Sequence, residues 1–336
     1  MNLGGAIKVN KCAVITLIGV VLFIIYVFSA TSLTIASIKK SSKNEVNIRK
    51  LIIGMILAAK SGGNQVIKIS NEPDFGGVKT KGKTQEGVND YITLADVNSH
   101  CQIAYSLWHI FPKLNLISEE DVQKKNCPTD LDFFDLDPSV LGSVQLPDIH
   151  VPAQDLTLWI DPLDATKEFT EKLFKYVSVM ICVADKKGEA VVGVVYFPFS
   201  QKLYWSWRGH GVSENLANIK ADLDDNVQNP IAIVSLSHAG KVKDLAKSML
   251  GEKTSIIGAA GSGYKIVQVL EGNATIYLHN TRIKKWDLCA GNALINSVGG
   301  RMVTLKRDKI SYSADTDHVV EDGLLVEINN HVINKT

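Results

Sequence analysis

The junction between a predicted strand and a predicted helix, at residues 156–170, constrains the fold of this chain most. Apolar residues alternate along residues 156–160, and this pattern predicts a strand. Pro162 has no backbone N–H to donate to a neighbouring strand, so normal pairing cannot continue past Asp161. We therefore expect the chain to turn at this point and to begin a helix near Ala165.

Two carboxylates and a hydroxyl are expected to converge at this turn. Asp164 is a candidate cap for the helix, and Asp161 and Thr166 flank it beside backbone N–H groups that a helix start leaves without partners. Two fixed anions and a hydroxyl suit a hard divalent cation, and a helix N-terminus suits a phosphate. Asp-Pro turns and Asp caps are also common without a function, so the stretch alone leaves a plain turn open.

Two further acidic motifs accompany the turn. A Glu-Glu pair at 119–120 follows an apolar run, and a Trp-Asp pair lies at 286–287. Together with the turn at 161–166, these motifs resemble the magnesium-dependent, lithium-sensitive inositol monophosphatase superfamily. Its signatures are an Asp-Pro-Ile/Leu-Asp-Gly/Ala-Thr turn and a Trp-Asp near the C-terminus. Ala165, where many members have Gly, matches the bisphosphate nucleotidase branch.

The resemblance implies a phosphatase that binds two or three Mg²⁺ ions. A phosphate monoester is a dianion that repels hydroxide, so its direct hydrolysis needs metal ions to neutralise it and to activate a water. One ion would be held by Glu119, Asp161 and the carbonyl oxygen of Leu163. Another would be held by Asp161, Asp164 and Asp287.

The resemblance also assigns the groups that activate the attacking water. Thr166, hydrogen-bonded to Asp96, would orient and deprotonate that water for in-line attack on phosphorus. On the sequence alone, Asp96 fits an ordinary helix N-cap at least as well.

In the nucleotidase branch, residues that match Ser235, His238, Gly261 and Lys265 hold the nucleotide. A glycine-rich helix start followed by a lysine is also a good seat for a second phosphate. A tight turn at Gly261 and a merely hydrogen-bonded His238 are the alternatives. The expected reaction removes the 3′-phosphate of adenosine 3′,5′-bisphosphate. Hydrolysis of inositol or another small sugar phosphate is the alternative reaction, and a membrane-anchored nucleotide-binding protein without catalysis is the alternative class.

Composition and patterning predict an α/β body. The chain has 336 residues and a formal net charge of +1, so no basic excess points to nucleic-acid binding. Strand and helix patterns alternate, which indicates layered α/β packing, and the resemblance implies alternating helical and sheet layers and a possible homodimer. We expect the phosphatase domain at 46–336, with its metal-binding half at about 46–210 and its nucleotide-binding half at about 230–336. Within it we expect a helix at 46–60 and a loop or hairpin at 61–89.

Residues 12–38 contain no charged side chain and approach the roughly 20 apolar residues that a bilayer requires. They predict a transmembrane signal anchor at 12–36, after a cytoplasmic tail at 1–11 and before a stem at 37–45. A cleaved signal peptide is the alternative, although its apolar core usually has only about 7–15 residues. The flanking lysines favour a cytosolic body by the positive-inside count. The resemblance instead implies a single-pass type II protein of the Golgi membrane with a lumenal catalytic domain.

The cysteines do not decide the compartment. The spacing of Cys101, Cys127, Cys182 and Cys289 matches neither a zinc site nor a redox pair, so buried free thiols are expected. The sequon at Asn273 would be usable in a lumen, as would the one at 334–336, but such triplets arise by chance.

Overall fold

The computed structural model describes residues 22–29, 44–83, 87, 89–219, 229–236 and 239–328. These residues belong to two compact units, 1–45 and 46–336. In the first unit, residues 22–29 form a helix with exposed side chains. Most of the expected membrane segment at 12–36 lies outside the described residues. Among the helices that are described, none has both the length and the apolar character needed to cross a membrane.

Strands and helices alternate along the chain. In chain order the strands are β1 (Glu45–Asn47), β2 (Lys79–Lys83), β3 (Asn89–Ile92), β4 (Asn115–Ser118), β5 (His150–Pro152), β6 (Leu156–Asp164), β7 (Ser178–Asp185), β8 (Ala190–Phe197), β9 (Lys202–Trp207), β10 (Gly211–Val212), β11 (Ile231–Ser235), β12 (Ser255–Ala259), β13 (Ile276–His279), β14 (Ile283–Lys284), β15 (Arg301–Val303), β16 (Val319–Val320) and β17 (Leu324–Glu327). The α-helices of the second unit are α1 (Ile48–Ser70), α2 (Leu94–Ile110), α3 (Thr166–Thr170), α4 (Glu214–Ile219), α5 (Ala239–Leu250), α6 (Ser262–Leu270) and α7 (Trp286–Ser297).

Two sheets organise the second unit. One has the order β10-β9-β8-β7-β6-β4 and the other has the order β12-β11-β13-β17-β15. Helices α1 and α2 pack on one face of the six-stranded sheet, α6 and α7 lie between the two sheets, and α5 packs on the five-stranded sheet. Separate apolar clusters fill these layers. The prediction of a layered α/β fold is therefore confirmed.

The first helix is longer than predicted. Helix α1 continues to Ser70, so the loop expected at 61–89 begins ten residues later, and only the β2–β3 hairpin matches it. Two glycines misled the prediction. A Cβ at Gly62 would lie 2.6 Å from Ile103, and one at Gly63 would lie 2.7 Å from Tyr196. These glycines allow neighbouring elements to pack closely against the helix and do not end it.

The expectation of buried free thiols is wrong. Cys101 is bonded to Cys127, and Cys182 is bonded to Cys289. The partners are 26 and 107 residues apart in the sequence, so only the tertiary fold brings them together. Spacing along the chain therefore carries no signal for these bonds.

His100 is a buried, neutral histidine on α2. It is 3% exposed, and its Nδ1 lies 2.8 Å from the Ser118 hydroxyl. Burial lowers the pKa of the His100 imidazole to about 4, although hydrogen bonding to the Val122 backbone and the charge of Asp121 oppose the shift.

We expect acid to destabilise the protein through His100. Between pH 6.5 and about 4 the unfolded state binds a proton on this residue and the folded state does not. The free energy of unfolding should therefore fall by roughly 3 kcal/mol as the pH drops through this window. His100→Gln should remove that part of the pH dependence in urea unfolding, whereas His109→Gln, at an exposed position on α2, should retain it. Equal pH dependence in wild type and His100→Gln would contradict this.

Candidate active site

Strand β6 ends in a bulge that presents its carboxylates. Asp161 pairs with Met180, and Asp164 pairs with Ser178. Between these two pairs β6 advances by three residues and β7 by only two, so β6 contains one extra residue. Pro162, which has no N–H, lies in this bulge. Ala165 follows with φ +69° and is the N-cap residue of α3. The helix was predicted. The chain does not turn at Pro162, however, because β6 continues through the bulge to Asp164 and the turn comes at Ala165. The role of Asp164 as the cap of this helix was also wrong, because the left-handed Ala165 lies between them.

Asp164 instead caps a helix from the other half of the chain. It accepts hydrogen bonds from the backbone N–H of Ser262, at 3.1 Å, and of Gly263, at 2.8 Å. The Ser178 hydroxyl donates to it at 3.2 Å. The helix start predicted as a phosphate seat therefore holds a protein carboxylate.

Gly261 permits this close approach. Its φ is +67°, and a Cβ there would lie 2.6 Å from the Tyr176 carbonyl oxygen and 3.2 Å from Asp164. The backbone thus requires glycine at a position that was predicted to bind the substrate.

Three acidic residues from distant elements form a carboxylate cluster, defined here as Glu119, Asp161 and Asp287. Glu119 follows β4, Asp161 lies in β6, and Asp287 lies in the first turn of α7. Within the described ranges, one oxygen from each residue lies within 4.8 Å of the others. Carboxylate oxygens at such spacing can share a hard divalent cation.

The charges of the carboxylate cluster are mutually unfavourable. Burial raises the pKa of Asp161 well above its ordinary value, and the nearby Glu119, Asp164 and Asp287 raise it further. Burial and the neighbouring acids raise the pKa of Asp287 in the same way. A buried set of like charges is stabilised by a cation of high charge density. The oxygen donors and their electrostatics therefore fit Mg²⁺.

Lys81, on the β2–β3 hairpin, supplies one cation to this region. Its ammonium group lies 2.8 Å from Glu119 and also contacts Glu120. Burial opposes the Lys81 charge, but the two glutamates outweigh it and hold the pKa of this ammonium above its ordinary value. No role was assigned to Lys81 from the sequence, where it lies among other polar and charged residues of the chain.

Thr166 and Asp96 are in direct contact beside the turn. The Thr166 hydroxyl lies 2.8 Å from Asp96 Oδ1 and 3.1 Å from the Leu163 carbonyl oxygen. Asp96 Oδ2 accepts from both the N–H and the hydroxyl of Thr93, the N-cap of α2. Burial raises the pKa of Asp96 to about 6, although the Thr93 and Thr166 hydrogen bonds oppose the shift. Asp96 therefore both stabilises a helix start and holds the Thr166 hydroxyl.

Glu119, Asp164 and Asp287 line a cleft of about 850 Å³. Ser235, Gly261 and Lys265 line it, as predicted for substrate-binding residues, while His238 lies outside the described residues. Burial lowers the pKa of Lys265 to about 8, although Asp164 opposes the shift, and its ammonium donates to the Gly261 carbonyl at 2.8 Å.

Polar residues at the end of β13 and just after it line the same cleft and were missed in the sequence. They are His279, Thr281, Arg282 and Lys284. His279 Nδ1 lies 3.2 Å from the Ser235 hydroxyl. Strands β11 and β13 are parallel neighbours, so their carboxyl ends meet at one edge of the sheet. A polar run directly after a buried strand was the signal that could have identified them.

Comparisons with known proteins agree with this geometry. Residues 49–333 match the inositol monophosphatase family model. The chain is 40% identical over 298 residues to the Golgi-resident adenosine 3′,5′-bisphosphate 3′-phosphatase of Mus musculus, covering 87% of this chain and 81% of that protein. It is 40% identical over 280 residues to inositol monophosphatase 3 of Danio rerio, covering 81% and 79%.

A solved structure shares the fold. It is CysQ from Bacteroides thetaiotaomicron, a bacterial member of the inositol monophosphatase family, with a TM-score of 0.58 and 22% identity over 83% of this chain and 97% of that one. This likeness shows the shared fold of layered sheets and helices, and the family model matches most of the chain. The chain therefore belongs to the inositol monophosphatase family and is a phosphoric monoester hydrolase.

Proposed function

We propose that this protein is a magnesium-dependent phosphatase that removes the 3′-phosphate of adenosine 3′,5′-bisphosphate, giving AMP and phosphate. The observation that carries the proposal is the carboxylate cluster, which lies beside the Thr166–Asp96 pair at one end of a large cleft. The metal ligands are Glu119, Asp161, the Leu163 carbonyl, Asp164 and Asp287. Asp164 can still bind a metal ion through Oδ1, which accepts one hydrogen bond, from Ser262, and keeps a second lone pair, whereas Oδ2 accepts from both Gly263 and Ser178.

Two or three Mg²⁺ ions bound there would neutralise the phosphate dianion and lower the pKa of the attacking water. The chain's own residues provide the route for the proton. Thr166 donates its hydroxyl proton to Asp96, so its oxygen lone pairs can accept a proton from water. Asp96, with a pKa of about 6, is a competent acceptor near neutral pH.

The cleft favours a substrate with a second charged group. The cleft is lined by three cationic residues, Lys265, Arg282 and Lys284, together with Ser235 and His279. All five lie far from the β2–β3 hairpin in the sequence. Such cations suit the 5′-phosphate of a bisphosphate nucleotide, which an inositol monophosphate lacks. The mouse relative is named for the nucleotide activity, whereas the zebrafish relative is named for inositol monophosphate. Hydrolysis of an inositol phosphate is therefore the second candidate.

Turnover of the two substrates tests this function. We expect phosphate release from adenosine 3′,5′-bisphosphate to exceed release from inositol 1-phosphate, with Mg²⁺ present in both assays. Thr166→Val keeps a β-branched side chain but cannot relay the proton, so it should lose roughly 10²-fold or more in turnover. A preference for the inositol ester would reject the nucleotide assignment. Nucleotide binding without phosphate release would instead support a protein that lacks catalysis.

The melting temperature, measured with EDTA and with Mg²⁺, tests metal binding. In EDTA, Asp161→Asn should raise the melting temperature by a few degrees, because it removes one of the repelling charges from the carboxylate cluster. Mg²⁺ should raise the melting temperature of the wild type but have little effect on this variant. Asp244→Asn, at an exposed position on α5, should respond to Mg²⁺ as the wild type does. A full Mg²⁺ shift in Asp161→Asn would contradict the site.

The sign of the pH effect follows from the raised pKa values. In the absence of metal, these acids bind protons more tightly in the folded state than in the unfolded state. Their repulsion therefore grows as the pH rises through the folded-state pKa values. The stabilisation by Mg²⁺ should accordingly be larger at neutral pH than in acid.

We also infer a lumenal catalytic domain, anchored in the Golgi membrane by residues 12–36, and inhibition by Li⁺ in line with the family resemblance. The two disulfides support an oxidising compartment over the cytosol, which the lysine count had favoured. Asn273, the first residue of a sequon, is exposed after α6. A possible homodimer remains part of the proposal.

Protease protection distinguishes the two orientations. In sealed Golgi vesicles we expect residues 46–336 to resist protease until detergent opens the membrane. Asn273→Gln should remove the part of an endoglycosidase-sensitive mobility shift that a glycan on Asn273 causes, and the remainder should depend on the sequon at 334–336. Digestion of the catalytic domain in intact vesicles would place it in the cytosol.

A further inference from the structure

The disulfide Cys182–Cys289 joins α7, which carries Asp287, to β7, the strand that pairs with the Asp161-bearing strand β6. Cys289 lies two residues after Asp287 in the first turn of α7. Cys182 lies on β7, two residues from Met180, and Met180 pairs with Asp161 on β6. Paired residues in an antiparallel sheet share a face, as do residues two apart on a strand. Asp161 and Cys182 therefore lie on the same face of the six-stranded sheet.

Helix α7 packs on this face at the same level. Cys182 pairs with Gly193 on β8. A Cβ at Gly193 would lie 2.3 Å from the carbonyl oxygen of Ala290, the residue after Cys289. The helix is thus held against the sheet by close backbone packing and by a covalent bond at neighbouring positions. Both cysteines are at most 1% exposed.

Asp287 depends on such a support because its neighbours repel it. Glu119 and Asp161 bring like charge within 4.8 Å of it. The N-cap residue of α7 is Lys285, whose ammonium donates to Thr316 at 2.6 Å. A lysine side chain cannot accept hydrogen bonds from the helix N–H groups, so it does not cap this helix start. Repulsion would move the first turn of α7 away from β6 unless packing and the disulfide resist it.

We propose that Cys182 and Cys289 are positioning residues whose disulfide holds Asp287 at cation-sharing distance from Asp161 and Glu119, and so sets the affinity for Mg²⁺. The inference rests on the metal site proposed above. The second disulfide, Cys101–Cys127, provides a matched comparison. It joins α2 to the segment after Glu120, and neither cysteine lies within two residues of a cluster member.

Calorimetric titration with Mg²⁺ tests the role directly. The full-length protein, purified in detergent, is compared with C182A/C289A and with C101A/C127A. We expect C182A/C289A to bind Mg²⁺ roughly tenfold more weakly, as is typical when support for a metal ligand is lost. C101A/C127A should bind with wild-type affinity even though it melts at a lower temperature. Turnover of C182A/C289A should recover at saturating Mg²⁺, since the catalytic groups are intact.

Each other outcome has a defined meaning. Wild-type Mg²⁺ affinity in C182A/C289A would overturn the positioning role and leave a bond that only stabilises the fold. Equal weakening in both double variants would also overturn it, because the effect would then follow global stability. If C182A/C289A does not fold, C182V/C289A restores part of the lost volume, and failure of both would assign the bond to folding. A wild type that binds no Mg²⁺ would instead reject the metal site itself.

Discussion

Repulsion among three close carboxylates, one buried and two partly buried, is the constraint on which the rest of this structure depends. Glu119, Asp161 and Asp287 come from three elements that lie far apart in sequence, and folding brings their oxygens within 4.8 Å. Burial removes the water that would screen them. The fold therefore brings negative charges together where water screens their repulsion poorly. Close backbone packing, a disulfide and a nearby lysine oppose this repulsion. Such an arrangement is expected where a divalent cation completes the site.

Asp164 connects the two sheets through the same region. It lies at the end of β6 in the six-stranded sheet and accepts from the first N–H groups of α6, which packs against the five-stranded sheet. Its negative charge is favourable at a helix N-terminus. Because Gly261 and Gly263 leave room for this carboxylate, the position of the cleft-lining residues before α6 is tied to the acidic end of β6. A change at Asp164 would therefore affect both ends of the cleft.

The sequence predicted what local rules and motifs determine. The disruption of strand pairing at Pro162, the strands β6 and β7 and the helix after Ser262 follow from periodicity and from residues with special backbone geometry. The acidic residues were identified through motifs, and their convergence appeared only in the fold. The partner of Asp164 lies 98 residues away, and that of Cys182 lies 107 residues away. Neither contact leaves a pattern along the chain, because both depend on how the layers stack.

The hydrogen-bond donors around each aspartate distinguish its role, which the residue type alone does not. Asp164 receives two backbone N–H groups, which stabilise its charge. Asp96 accepts hydrogen bonds from Thr93 and Thr166 and is buried. Burial raises its pKa to about 6 against these hydrogen bonds, so its charged and neutral forms are both populated near that pH. In the part of the chain that the structure describes, Asp161 receives one backbone donor, Leu163, and otherwise faces acids. One kind of side chain can thus cap a helix, accept a proton or bind a cation, and the surrounding donors decide which.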